Sequence, residues 1–96
     1  MQRITQKDLE AVCRRINRTV NGTDDVPAWV KNEEGTFRAT VGVYVLDGAY
    51  GGWSLERIVG ESGGVSDVFR CGHVPKRELY DRMQAFLDGY EVHDAR

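Results

Sequence analysis

The sequence predicts an α+β fold in which a helix, an antiparallel meander of three to four strands and a second helix follow one another, with both helices packed on one face of the sheet. Three observations predict it. Apolar residues recur at helical spacing in the first twenty residues, recur again after Pro75, and alternate at strand spacing in between. The length of 96 residues indicates one domain, residues 1–96, with an ordered core expected over about residues 4–91.

The first helix has clear start and stop signals. Thr5 is a suitable N-cap, and Asp8 stands three residues later, where a capping box places its acidic partner. Asn21-Gly22 predicts the end of the helix. The expected buried face consists of Leu9, Val12, Cys13, Ile16 and Val20.

The middle of the chain predicts strands joined by glycine-containing turns. Alternating residues indicate one long strand over 37–46, and Asp47-Gly48 is a turn signal for a hairpin connection that ends at Gly52. Further strands are expected over residues 53–59 and 65–70. Trp29, which precedes the long strand, is expected to lie in the core.

The second helix is predicted to begin at Pro75, whose missing N–H is harmless in a first turn. Gly89 is placed as a C-terminal stop. The apolar face of this helix is expected to consist of Leu79, Met83, Phe86, Leu87 and Tyr90.

Composition excludes several classes of protein. The net charge of −2 differs from the strongly basic balance of a dedicated nucleic-acid binder. The first twenty residues contain neither a secretory signal nor a membrane-spanning run, so we expect a cytoplasmic protein that does not enter the membrane. Cys13 and Cys71 are expected to be reduced thiols, one on a helix face and one in a loop.

No catalytic, metal or cofactor motif is recognisable, and the sequence therefore predicts a protein that is not an enzyme and needs no cofactor. Phosphate-binding, dinucleotide-binding and metalloprotease motifs are all missing from the sequence. Cys71 and His73 are close in sequence, but too few further soft ligands accompany them for a zinc site. They also lack a third group for nucleophilic catalysis.

The first candidate site is the hairpin over residues 47–53, as a surface for a protein partner. Tyr50 and Trp53 stand among three glycines there, and such a loop presents aromatic area with little steric obstruction. The candidate contact residues are Asp47, Tyr50 and Trp53, together with Tyr44 from the preceding strand. The alternative is that the glycines serve hairpin geometry alone and that Trp53 packs inward.

The second candidate site is basic and would bind an anion or a nucleic acid. Lys76 and Arg77 stand in the first turn of the second helix, where the helix dipole disfavours cations. An anion at this helix end would resolve the conflict. The alternative is that Asp81 neutralises Arg77 and that Lys76 is solvated. Further cations form a stripe on the first helix, namely Lys7, Arg14 and Arg18.

Four segments resemble short uncharacterised accessory proteins of tailed bacteriophages and prophages. These are Gly42-Val43-Tyr44-Val45-Leu46-Asp47-Gly48-Ala49-Tyr50-Gly51-Gly52-Trp53, then Gly63-Gly64-Val65-Ser66, and Lys76-Arg77-Glu78-Leu79-Tyr80 with Ala85-Phe86-Leu87. The resemblance covers residues 5–91 and carries no activity. It implies a phage-encoded protein that binds a bacterial host protein, including proteins of defence systems.

The order of the elements is also similar to that of the double-stranded-RNA-binding domain, in which the start of the second helix contacts phosphates. Lys76 and Arg77 match that position, but Glu78 and Asp81 stand where the family has more lysines.

The sequence thus favours a non-enzymatic binding module that acts on a bacterial or phage protein, as a monomer or a homodimer. A nucleic-acid-binding domain is the alternative, and a structural role in the virion is a third hypothesis.

Overall fold

The computed structural model describes residues 3–94, which contain two helices and five strands. In chain order the elements are α1 (Gln6–Asn21), β1 (Trp29–Lys31), β2 (Phe37–Ala39), β3 (Tyr44–Ala49), β4 (Gly52–Ile58), β5 (Val65–Asp67) and α2 (Lys76–Asp94). Two antiparallel sheets are formed in this part of the chain, a β1-β2 hairpin and a meander in the order β3-β4-β5. The predicted α+β fold is confirmed.

Helix α1 begins and ends where its sequence signals predict. The Thr5 hydroxyl accepts a hydrogen bond from the Asp8 N–H at 3.3 Å, and the Asp8 carboxylate accepts one from the Thr5 N–H at 2.8 Å. At the other end, Gly22 has a φ of 80° and donates its N–H to the Arg18 carbonyl at 2.9 Å. Because both ends are satisfied by neighbours in sequence, local chemistry alone sets the limits of this helix.

The alternating segment 37–46 is two strands, and the prediction of one long strand was wrong. A turn separates β2 from β3: the Val43 N–H donates to the Thr40 carbonyl at 3.4 Å, and Gly42 has a φ of 97°. Gly42 donates to the Ile58 carbonyl while Val43 accepts from the Ile58 N–H, so two residues face one in a β-bulge. Apolar alternation continues through this turn and therefore does not report the change of direction.

Both helices pack on one face of the meander, as expected. Helix α1 contacts β3, helix α2 contacts β4, and the two helices contact each other. The buried residues of this core are Leu9, Val12, Cys13, Ile16, Tyr44, Leu55, Val74, Leu79, Met83 and Leu87. A smaller cluster on the opposite face consists of Ala39, Val43 and Ile58, with Ala28 and Val45 packed against it.

Trp29 is not a core residue, contrary to expectation. Its side chain is 50% exposed because β1 belongs to the separate hairpin and lies outside the helix-covered meander. One edge of the indole rests on the loop at Gly63, where an added Cβ would come within 2.7 Å of the ring. Phe37 in the neighbouring strand is 63% exposed.

Strand β5 is shorter than the expected 65–70 because the chain turns after Asp67. The carboxylate of Asp67 accepts hydrogen bonds from the backbone N–H groups of Phe69, Arg70 and Gly72, at 3.2, 3.1 and 2.9 Å. These bonds fold the loop back on itself. Arg70 there adopts a φ of 54°.

Helix α2 does not stop at Gly89, and that prediction was also wrong. The helix continues to Asp94, and Gly89 lacks the positive φ that a glycine terminator adopts. Tyr90 beyond it stacks on Phe86 with ring centroids 6.3 Å apart. This contact gives the chain after Gly89 a reason to stay helical.

Candidate binding surface at the hairpin tip and the start of the second helix

The β3-β4 hairpin turns at Tyr50 and Gly51, which we call the hairpin tip. Asp47 and Gly48, the predicted turn, are instead paired residues of β3. Tyr50 has a φ of 55° and Gly51 a φ of 74°, and positive φ at both central residues is the signature of a type I′ turn. The hairpin was located correctly, but its turn lies three residues later than the Asp-Gly signal indicated.

Tyr50 combines strain with exposure. Its side chain is 98% exposed, and its backbone occupies the left-handed region, which costs a residue with a Cβ roughly 1–2 kcal/mol. Asparagine or glycine would serve the turn better. A strained, solvent-facing aromatic residue contributes little to folding, and strain of this kind is typical of functional positions.

Gly48 allows Trp53 to lie across β3. The two residues are directly paired, and a Cβ on Gly48 would lie 3.1 Å from the indole ring of Trp53. The ring therefore covers the glycine. Trp53 is half-buried and packs against the main core, so it is neither a free contact residue nor a wholly internal one.

The segment around His73 supports the base of the hairpin. His73 Nε2 lies 2.6 Å from Asp47 Oδ2, and the ring of His73 meets that of Tyr50 edge-on with centroids 5.7 Å apart. Val74 exchanges two backbone hydrogen bonds with Trp53, at 2.8 and 2.9 Å. The sequence singled out His73 only together with Cys71, as a possible metal ligand or a partner in nucleophilic catalysis. His73 and Asp47 are 26 positions apart in the sequence, so no local signal indicates their contact.

Acidic side chains share the sheet face on which Asp47 meets His73. Glu56 pairs directly with Asp67 across β4 and β5. The pKa of Glu56 is raised, first by burial and then by the negative charge of Asp47, while Asp67 adds to the rise and His73 opposes it. Asp47, Glu56 and Asp67 thus place negative charge on the sheet face next to His73. Within residues 3–94, no three potential ligands are placed to hold a metal ion.

The two sites predicted separately meet in one cleft, which we call the basic cleft. Its volume is about 590 Å³. It is lined by Arg3, Ile4, Gly51, Trp53, Pro75, Lys76 and Arg77. Gly51 of the hairpin tip and Trp53 form one side of this cleft, and the first turn of α2 forms another. Arg3 and Ile4 were not predicted to take part.

The start of α2 has no side-chain cap of its own at the residue before the helix. Pro75 occupies that position, and its carbonyl accepts the Leu79 N–H at 3.0 Å. A proline side chain has no hydrogen-bond acceptor, so it cannot satisfy the first N–H groups as Thr5 does in α1. The positive end of the helix dipole and two cationic side chains therefore coincide at the cleft.

The cations of α1 do not form a single surface with the basic cleft. Arg18 forms an ion pair with Asp24 at 2.8 Å, and this hydrogen bond holds the pKa of Asp24 below its usual range. Arg14 lies on the flank that faces β3, and Lys7 lines a shallow depression with its own helical neighbours. The predicted stripe is thus divided among three environments.

Tyr44 is buried and does not offer a contact surface, which corrects its assignment as a binding residue. It is only 5% exposed. Its ring packs 6.0 Å from that of Phe86, and the guanidinium of Arg57 lies over it at 5.2 Å. Tyr44 thus belongs to the core beneath the hairpin.

The two thiols occupy different environments. Cys13 is buried, and burial raises its pKa to about 11, so the thiol stays protonated at neutral pH. Its Sγ lies 3.4 Å from the Tyr44 carbonyl. Cys71 is half-buried in the loop before α2.

Comparisons with protein-family models, with curated proteins and with solved structures found no match. None of the helices in residues 3–94 is long and apolar enough to cross a bilayer.

Proposed function

We propose that this protein is a non-enzymatic binding module that recognises a protein partner through the hairpin tip and the adjoining basic cleft. The observation that carries the proposal is Tyr50, an aromatic side chain that is 98% exposed on a backbone strained at φ 55°. Aromatic residues on rigid supports are the usual anchors of protein interfaces. The hairpin is such a support, because His73 contacts Asp47 and Val74 forms two backbone hydrogen bonds with Trp53.

The cleft beside Tyr50 adds charge to this aromatic anchor. Arg3, Lys76 and Arg77 line it, so a partner that inserts an acidic side chain there would be favoured. An anchor and a neighbouring charged pocket together define a directional surface. Following the resemblance to phage accessory proteins, we further propose that the partner is a bacterial host protein, including those of defence systems, and that binding takes place in the host cytoplasm.

The test is affinity capture from bacterial lysate with the full chain as bait. Tyr50→Asn removes the anchor and suits the turn, so it should reduce capture of the partner about thirtyfold, as expected for a central contact worth about 2 kcal/mol. Phe37→Asn is the matched control, because Phe37 is another exposed aromatic residue on a different hairpin. Equal capture by wild type and the Tyr50 variant, or a loss confined to the Phe37 variant, would refute the proposal.

Nucleic-acid binding is a second candidate, favoured by the convergence of three cationic side chains on one cleft beside Trp53. Such a site would bind phosphate with an affinity that falls steeply as salt rises. The measurement is DNA and RNA binding at low and moderate salt, with Lys76→Glu against Lys31→Glu, a change at an exposed lysine on β1. The idea fails if affinity does not depend on salt, or if both variants bind alike.

A further inference from the structure

Strand β3 has an open edge. It is the outer strand of the β3-β4-β5 sheet, and Ala49 pairs with Gly52 across the hairpin tip. In an antiparallel pair only every second residue directs its backbone N–H and C=O groups towards the partner strand. The pairing of Ala49 with Gly52, and the hydrogen bond from the Ile58 N–H to the Val43 carbonyl, show which residues of β3 direct these groups towards β4. The backbone N–H and C=O groups of the residues in between therefore point away from the sheet. These residues are Tyr44, Leu46 and Gly48.

Helix α1 closes one end of this edge with asparagine side chains. The Asn17 amide donates to the Tyr44 carbonyl at 3.0 Å and accepts from the Tyr44 N–H at 2.8 Å, the two bonds that a paired strand residue would make. One turn later, Asn21 donates to the Gly42 carbonyl at 2.9 Å. One turn of a helix rises about 5.4 Å, and two residues of a strand span about 6.6 Å. Because these lengths are similar, side chains one turn apart on α1 can reach alternate residues along the edge of β3.

The hydrogen bonds from α1 to the edge of β3 do not extend to Leu46. One turn before Asn17 stands Cys13, whose short side chain approaches the Tyr44 carbonyl and does not reach further along the strand. Within residues 3–94, no side chain forms a hydrogen bond with the outward backbone groups of Leu46 or Gly48. The outward backbone groups of Tyr44 thus have hydrogen-bond partners, whereas those of Leu46 and Gly48 have none from side chains of the described residues. A strand edge of this kind is suited to pair with another strand.

A groove of about 380 Å³ runs along this open edge, and we call it the β3 slot. One wall is the polar flank of α1, and the other is apolar and belongs to the opposite side of the sheet. The polar wall consists of Gln6, Glu10, Arg14 and Asn17, and the apolar wall of Val26, Ala28, Val43 and Val45. A strand in the slot would turn alternate side chains towards these two walls.

The slot continues towards the basic cleft through Trp53, which lines both. The indole reaches the slot because Gly48 has no side chain to hold it back. A chain that leaves the slot over this ring enters the region of Arg3 and Lys76. That end of the path favours negative charge.

We infer that the β3 slot binds an extended segment of the partner protein as an added β-strand, with alternating polar and apolar residues and an acidic residue at the Trp53 end. The backbone of the segment pairs with Leu46 and Gly48, and its acidic residue meets Arg3 and Lys76. The inference deepens the proposed function by naming the chemistry of the partner segment. It uses the edge of β3 and not the Tyr50 ring, so the two are tested separately.

The probe is a labelled peptide of alternating threonine and valine residues that ends in glutamates, titrated into the full chain. We expect binding in the micromolar to millimolar range, and loss of binding when alternate backbone nitrogens of the peptide are methylated. A peptide ending in lysines should bind about fivefold more weakly, as should the glutamate peptide with Lys76→Glu, whereas Lys31→Glu should not matter. Phe37→Asn, an exposed position on the other hairpin, should leave this binding unchanged.

Hydrogen exchange locates the peptide. In the free chain the Leu46 amide should exchange faster than that of Tyr44, which Asn17 holds, and the peptide should protect Leu46 and Gly48. The inference is overturned by no binding at about 1 mM peptide, by equal binding of the methylated peptide, by protection of the β5 edge alone, or by occupation of the slot by a second copy of the chain. Peptide binding without lysate capture would refute the proposed function while supporting the slot.

Discussion

Replacing Tyr50 by asparagine should make the protein more stable. The left-handed backbone at Tyr50 costs about 1 kcal/mol with a large side chain, and asparagine at the same φ of 55° costs much less. The change also removes the edge-on contact with His73, with centroids 5.7 Å apart, which is worth about 0.5 kcal/mol at so exposed a position. The net expectation is a gain of about 0.5 kcal/mol in the free energy of unfolding.

Tyr50→Ala is the control that separates backbone strain from the ring contact. Alanine keeps the left-handed penalty and loses the ring, so it should be about 0.5 kcal/mol less stable than wild type. The two variants should then differ by about 1 kcal/mol, or about 4–8 °C in Tm for a domain of this size. Urea denaturation followed by far-UV circular dichroism measures both. If alanine proves as stable as asparagine, Tyr50 is not strained, and backbone strain does not mark the turn as a functional position.

Three further predictions concern the interior and the acidic face. Asn17→Ala leaves the Tyr44 N–H without a partner and its C=O with the Cys13 thiol alone, and should lower the free energy of unfolding by about 1–3 kcal/mol in urea titrations; a loss below about 0.5 kcal/mol would mean that water replaces the amide. Glu56→Gln should stabilise the fold at pH 7, because a raised pKa means that the folded state disfavours the carboxylate; the gain should shrink as the pH falls and vanish well below the ordinary pKa of 4.5, where Glu56 is protonated in both states. Unfolding measured against pH tests this, and a gain that persists at pH 3 would point to another cause. For Cys13, stability should be unaffected by its thiol below the unfolded pKa of 9.0 and should fall between pH 9 and about 11, the folded value, a decline that Cys13→Ala should abolish.

The elements with complete local signals were predicted closely. The capping box at Thr5 and the left-handed Gly22 set the limits of α1, since their partners lie within four residues along the chain. The terminator at Gly89 failed, because a glycine ends a helix only when nothing beyond it gains from remaining helical, and Tyr90 gains the contact with Phe86. Hydrophobic alternation likewise passed through the turn at Gly42.

The candidate site was predicted in its parts but not in its arrangement. Tyr50 and Lys76 were each singled out by their surroundings in the sequence, one by glycines and the other by its place in a helix. That Lys76 lines a cleft together with Gly51, the neighbour of Tyr50, follows from the backbone pairing of Val74 with Trp53, which brings the start of α2 to the hairpin. Tyr44 was misassigned because alternation tells which residues share a face, not which face the helices cover.

The sequence by itself determined the class of fold, the start and end of the first helix and the presence of a hairpin near Tyr50, because those features depend on backbone chemistry between near neighbours. Tertiary structure alone decided which aromatic residues are exposed, where the hairpin turns, and that the hairpin tip, the basic cleft and the β3 slot adjoin one another. Contacts between residues far apart in the chain, such as His73 with Asp47 and Asn17 with Tyr44, position these surfaces. Their free energy comes from packing and hydrogen bonds that exist only once the chain has folded.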